Sequence, residues 1–261
     1  MNSSGNPYCP SLHSQGTPAF EEGDVLCIRP KYNSPPKNDV GGAFDPESRL
    51  FCEFHNLDPD KHIVVINNGK YKARRSRYSV ANDVIQAIKD HKPKVTAFFC
   101  HGFTHYLQLG IRSPNHPYAQ DNDKKLFRKF TKALTDASVA PNLILYACST
   151  GDDPDKGEDD TAPGAGDDSF ADVCRDKMCE RGATFCRVMA HTTAGPATVN
   201  PFVKFFDGQG SKFGGTGASF LIPPRTPRYW KALRKHLQTD FRFRFPFMTV
   251  QEIQAELESA F

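Results

Sequence analysis

A chain of 261 residues, 38% of them hydrophobic and 24% charged, has the balance of a globular domain. At that length about three quarters of the unfolded surface can be buried, so a core forms without disulfides or metals as staples. The formal net charge of +3 is small and spread along the chain, which argues against a nucleic-acid-binding or membrane-surface protein; no apolar run approaches the ~18 residues that span a bilayer.

Residues 1–22 are polar and rich in Ser, Pro and Gly, and read as a flexible tail ahead of one domain over 23–261. The opening string MNSSGNPYCPSLHSQGTP has neither a basic start nor an apolar run, so no secretory signal is read there. A cytoplasmic location is therefore expected, with the eight cysteines reduced. No C-x-x-C pair exists and the nearest two, Cys174 and Cys179, are five apart, so no zinc site and no cofactor are expected. Most of the cysteines stand in apolar contexts and read as small core residues.

Val25 to Ile28 reads as a short strand, residues 29–48 as a Pro- and Gly-punctuated loop, and Leu50 to Phe54 as an edge strand. The regular part, a core over 62–195, begins with HIVVINN (62–68), whose β-branched run suits a buried strand. The basic run KYKARRSR reads as a solvated loop, and Ser79 as the cap of a helix through His91. Pro93 ends it, and KVTAFFC (94–100) is a second strand running into His101-Gly102. Residues 103–120 read as a loop with a β-excursion at YLQLGI.

A helix follows from about Asn122 to Ala137, then the strand NLILYAC (142–148), which ends at Cys148-Ser149-Thr150-Gly151. Eight of the seventeen residues at 152–168 are Asp or Glu, the composition of a mobile loop. Phe170 to Arg181 is helical with Gly182 closing it, and ATFCRVMAHTTAG (183–195) reads as a fourth strand. In the extension 196–261, PFVKFF and the Gly-rich stretch after it suggest a hairpin-like flap or a substrate loop. That stretch lacks the G-x-x-x-x-G-K-[ST] spacing of a phosphate loop. Residues 229–238 and 249–261 read as helices, and FRFRFPF between them as an amphipathic or partner-docking segment. Alternating strands and helices predict an α/β fold: a mostly parallel sheet with helices on both faces, binding at the carboxyl ends of its strands.

That rule brings His101-Gly102, Cys148-Ser149 and His191-Thr192 to one crevice. A thiol attacks as thiolate, so it needs a nearby imidazole, and the developing oxyanion needs backbone N–H donors. Cys148 supplies the thiol at a strand end, before a small, turn-forming S-T-G. His101 stands 47 positions earlier, room for one helix and two loops between neighbouring strands. Gly102 and Cys148 are the expected oxyanion N–H donors, Gly102 because it has no Cβ to block a substrate carbonyl. His105 is a rival base that more naturally lines the cleft, and His191 reads as a core or pocket histidine.

The pattern strand–His-Gly, about fifty residues, strand–Ala-Cys-small-small-Gly resembles the caspase-like superfamily of cysteine peptidases, which includes caspases, metacaspases, legumains, clostripain-like enzymes and CHAT domains. The resemblance covers roughly residues 62–195. It implies a three-layer α/β/α caspase-hemoglobinase-like fold and a cysteine endopeptidase that cleaves a protein or peptide substrate through an acyl-enzyme, with Cys148 and His101 as its dyad. It also admits a catalytically silent module of the same fold that binds or scaffolds. The family's pocket residue two positions before the cysteine is Gln in caspases and Asp in metacaspases, and here is Tyr146, so neither cleavage preference carries over. Tyr146, Asp152, Asp153, His191 and Thr192 are the candidate pocket residues. The acidic run after Cys148 has three readings: attraction of a basic residue before the cleaved bond, binding of Ca²⁺, or a cut made on activation.

Overall fold

The computed structural model describes residues 20–31, 44–66, 77–116, 119–147, 149–151, 169–191, 203–208, 218–221, 247 and 255. Val25–Ile28 is an unbroken apolar run in which every residue is buried to 2% exposure or less, the signature of a strand covered on both faces. It forms β1 (Val25–Pro30). Its register partners are β2 (Ile63–Ile66) on one side and β3 (Val95–Phe99) on the other, both parallel. Beyond β3 lie β7 (Asn142–Tyr146) and β8 (Cys186–His191), also parallel. β9 (Val203–Gly208) and β10 (Ala218–Leu221) complete the sheet as antiparallel neighbours, giving the order β10-β9-β8-β7-β3-β1-β2. The result is mixed α/β around five parallel strands.

Crossover handedness sets the layers. The chain moves from β1 outward to β2, then back past β1 to β3, β7 and β8. Right-handed crossovers in opposite directions put their helices on opposite faces. Accordingly α1 (Phe44–Phe54) packs Phe51 and Cys52 against Val25, Cys27, Val95, Ala97 and Phe99. The alternate residues Leu26, Ile28, Phe98, Leu143 and Leu145 face α3 (Arg77–His91), α4 (Asp121–Ala137) and α5 (Phe170–Glu180). Each buried Leu, Ile or Phe contributes about 1.5–3 kcal/mol through this burial. Phe247 completes the α1 face, with its ring 5.2 Å from Phe20 and 4.9 Å from His55.

Several sequence expectations change. Leu50–Phe54 is the last turn and a half of α1, not an edge strand. Ser48, Phe51 and Cys52 are its buried positions, at the three- and four-residue spacing of a helix face, and Asp45 and Glu47 stand in its first turn where the helix dipole favours them. The 29–48 loop is accordingly shorter than expected. His62 closes the short helix α2 (Pro59–His62), and the strand after it is an edge, only partly buried, with Val65 39% exposed. α3 begins at Arg77, so Ser79 lies inside the helix and is not its cap. The expected hairpin is present as β9 and β10, and β9 also pairs along β8 from Val203 to Gly208, while the Gly-rich residues 209–217 lie outside the described residues. Phe247, from the supposed docking segment, belongs to the chain's own core at 0% exposure. The helices expected at 229–238 and 249–261 lie outside the described residues, Ala255 apart.

The loop after β3 folds into a second sheet, β4 (Gly102–Phe103), β5 (Tyr106–Leu107) and β6 (Ile111–Arg112), all antiparallel. The turn from β5 to β6 needs Gly110, whose φ is +80° and whose added Cβ would lie 2.2 Å from the Arg77 carbonyl oxygen. Among the described residues no helix is long and apolar enough to cross a membrane. Gly110→Ala is expected to destabilise the protein by about 2 kcal/mol through strain and collision with α3. Urea unfolding should show a lower midpoint with an unchanged slope.

Candidate functional site

The last register pair between β3 and β7 is Phe99 opposite Tyr146. His101 and Cys148 each follow two positions later, so the two chains leave the sheet level with one another on adjacent strands, about 4.8 Å apart. Ala190 pairs with Leu145, which puts His191, the last residue of β8, level with Tyr146 one strand further out. The carboxyl ends that the sequence brings together are thus neighbours in the order β8-β7-β3. The topological switch itself falls between β1 and β3, so His101 borders it directly and β7 is one strand away. Cys148, Asp152, Asp153 and Thr192 lie outside the described residues.

The residues flanking Cys148 form a tight turn. Ala147 is fully buried, and the Thr150 hydroxyl donates to its carbonyl oxygen at 2.9 Å. Ser149, between them, has φ +55°, in the left-handed region where a residue with a Cβ is strained. Strain of this kind persists only where surrounding structure over-determines it, and it clusters at functional turns. The surroundings here are close: Ser149 is 8% exposed and Thr150 is fully buried.

α5 supplies the fastening. A helix leaves its first N–H groups without intrahelical partners. The Phe170 N–H donates to the Thr104 carbonyl, in the loop that follows His101, at 2.9 Å. The Ala171 N–H donates to the Thr150 carbonyl, in the turn that follows Cys148, also at 2.9 Å. The Asp172 N–H goes to the Ser169 hydroxyl, the N-cap, at 3.1 Å. The first turn of one helix therefore ties the loops of both candidate residues together. Phe170 anchors that turn, fully buried with its ring 5.9 Å from Phe127 of α4.

His101 is half-buried, and its imidazole meets the ring of Phe44 edge to face at 4.9 Å, so the first residue of α1 supports it. Its carbonyl accepts the Gln108 N–H at 3.0 Å, which starts the small sheet at the histidine. Gly102 is buried in β4, opposite Leu107. Tyr146 stacks on Phe99 with ring centroids 4.8 Å apart and meets Phe51 at 6.0 Å. At 9% exposure it is a ring of the layer between sheet and α1.

Sequence reasoning missed the partner of His105. Its ring stacks on His116 at 3.4 Å between centroids, and its Nδ1 lies 2.9 Å from the Thr104 hydroxyl. Burial, then His116 and Arg112, hold His105 down to about 4. The string H-x₃-H…H over 101–116 was the available signal, but stacking across the β5–β6 turn depends on the fold. Among the described residues no three His, Cys, Asp or Glu side chains are grouped to hold a metal ion. The six described cysteines, Cys27, Cys52, Cys100, Cys174, Cys179 and Cys186, are all buried and stand outside any disulfide. Burial pushes Cys27 and Cys174 well above the usual thiol range. In comparisons with known proteins, no family model and no curated protein matches the chain.

Two outcomes follow. Thr150→Val leaves the buried Ala147 carbonyl without its hydroxyl donor, so a loss of about 1–3 kcal/mol is expected in urea unfolding, while Thr150→Ser retains most of it. His105 binds its proton less readily folded than unfolded, so the unfolded state takes up the proton first as pH falls from 6.5. Its contribution to stability is complete above about 6.5 and lost as pH falls to about 4. The unfolding midpoint should fall less across that window in His105→Gln than in the wild-type chain.

Proposed function

We propose that the chain is a cysteine endopeptidase of the caspase-like type, with Cys148 as nucleophile and His101 as its base. The observation that carries this reading is the strained Ser149 turn at the end of β7, level in register with the departure of His101 from β3. The left-handed serine and the Thr150–Ala147 bond hold a tight turn directly after the end of β7, around position 148. His101 takes the thiol proton, or holds the thiolate as an ion pair, and the thiolate attacks a peptide carbonyl. The N–H groups of Gly102 and Cys148 hold the oxyanion. His101 then protonates the leaving amine, and water hydrolyses the thioester to restore the thiol.

The fold we infer is the three-layer caspase-hemoglobinase-like arrangement, supported by five parallel strands with apolar layers on both faces. The acidic residues at 152–168, Asp152 and Asp153 first, favour a substrate with Lys or Arg before the cleaved bond. We place the protein in the cytoplasm, consistent with six described cysteines that stand outside any disulfide.

Alkylation tests this. A peptidyl electrophile carrying Arg at the position that precedes the cleaved bond is expected to label Cys148 ahead of Cys9, which has no candidate base assigned to it, and of the six described cysteines, which are buried. His101→Ala should slow labelling about 10²- to 10⁴-fold. Equal reactivity of Cys148 and the buried cysteines, read by peptide mass mapping, would rule the peptidase out and leave a silent binding module.

A further inference from the structure

The small sheet after His101 has two unlike faces. Gly102, Leu107 and Ile111 are in register across its three strands and all are buried. Phe103, Tyr106 and Arg112 are in register on the other face. There the Phe103 and Tyr106 rings stack at 4.4 Å with planes 15° apart, and the Arg112 guanidinium lies over the Tyr106 ring at 5.0 Å. Phe103 is 44% exposed, one of four large hydrophobic residues so exposed among those described. Arg112 is half-buried and has no carboxylate partner among the described residues.

A half-buried guanidinium has given up part of its hydration, and a carboxylate that reaches it stabilises the charge. Guanidinium prefers carboxylate in a two-point pairing, and a ring beneath it fixes the plane of the fork. The two stacked rings beside it offer an apolar platform for a peptide plane or an aliphatic stem. The neighbouring His105 and His116 add no negative charge to compete with the ligand. The platform is continuous with the proposed site, since Phe103 is two residues past His101. At about 4.8 Å between strands, Arg112 lies about 10 Å across the sheet from Phe103, the span of roughly three extended residues.

We infer that Phe103, Tyr106 and Arg112 form a specificity site for the substrate, which reads an acidic side chain about three residues from the cleaved bond. This rests on the reading of Cys148 and His101 as the catalytic pair. The substrate class is then a polypeptide with Lys or Arg before the cleaved bond and Asp or Glu a few residues away.

Fluorogenic peptides with Arg before the cleaved bond, and with Glu, Ala or Lys three residues away on either side, test it on the full chain. On one side, kcat/KM is expected to fall in the order Glu, Ala, Lys, with a Glu-to-Lys ratio of about tenfold or more carried by KM. Arg112→Glu should invert that order. Arg112→Gln, which keeps the side chain's size, should flatten it if the reversed charge impairs folding. Equal cleavage of all the peptides on both sides would overturn the specificity site while leaving the peptidase standing. If no peptide is cut, fluorescence anisotropy with the same peptides on the Cys148→Ala chain separates the two ideas. A Glu preference that inverts in Cys148→Ala/Arg112→Glu would keep the site and sink the peptidase. Absence of cleavage together with no preference in binding would sink both.

Discussion

The first turn of α5 is the constraint on which the rest of the candidate site depends. Helix N-termini must place their unpaired N–H groups somewhere. In this chain the first two go to carbonyls of two different loops, Thr104 after β3 and Thr150 after β7. The first is the turn of the small antiparallel sheet, the second a tight turn with its own Thr150–Ala147 bond, and nothing within either fixes it relative to the other. Joined through one rigid helix they acquire a shared reference, and that helix is in turn fixed by Phe170 against Phe127 and by the Ser169 cap. The strained backbone at Ser149 is bearable for the same reason. Thr150 is held on both sides, by its hydroxyl to Ala147 and by its carbonyl to Ala171, so the turn has no relaxed alternative.

The opposite face of the sheet makes a matching contribution through aromatic packing. Phe99 and Tyr146, the last paired residues of β3 and β7, stack on each other and meet the ring of Phe51 of α1 edge to face. This locks the strand ends at the level where the chain departs toward His101 and Cys148. Phe44, at the start of the same helix, then meets the His101 ring. The two helix layers therefore divide the work: α5 positions loop backbone, and α1 positions strand ends and the histidine ring. Arg29 of β1 pairs with Asp45 of α1, which fastens that helix beside the central strand.

Legibility in the sequence followed the length of each pattern. α4 and α5 were readable because an amphipathic period repeats over three or more turns, and β3 and β7 because five buried residues in a row leave no other reading. Phe44–Phe54 was not readable as a helix: FDPESRLFCEF mixes Pro, acids and aromatics, and its end, LFCEF, is a short apolar and aromatic run of strand length. β1 was visible as a strand, but its central place was not, because a crossover that runs out to β2 and back leaves no local mark. Likewise 203–208 could be seen as extended, while its pairing with β8 is a long-range choice.

By itself the sequence determined the local chemistry: a thiol before S-T-G, a His-Gly at the end of an apolar run, and eight acids in a seventeen-residue segment. These are properties of neighbouring residues, and local composition suffices to state them. Only tertiary structure decided that β3 and β7 are adjacent and level, that one helix ties both loops, and that Phe103, Tyr106 and Arg112 share a face. The physical reason is that register and crossover direction are set by burial summed over the whole sheet, a quantity that no short stretch of sequence carries.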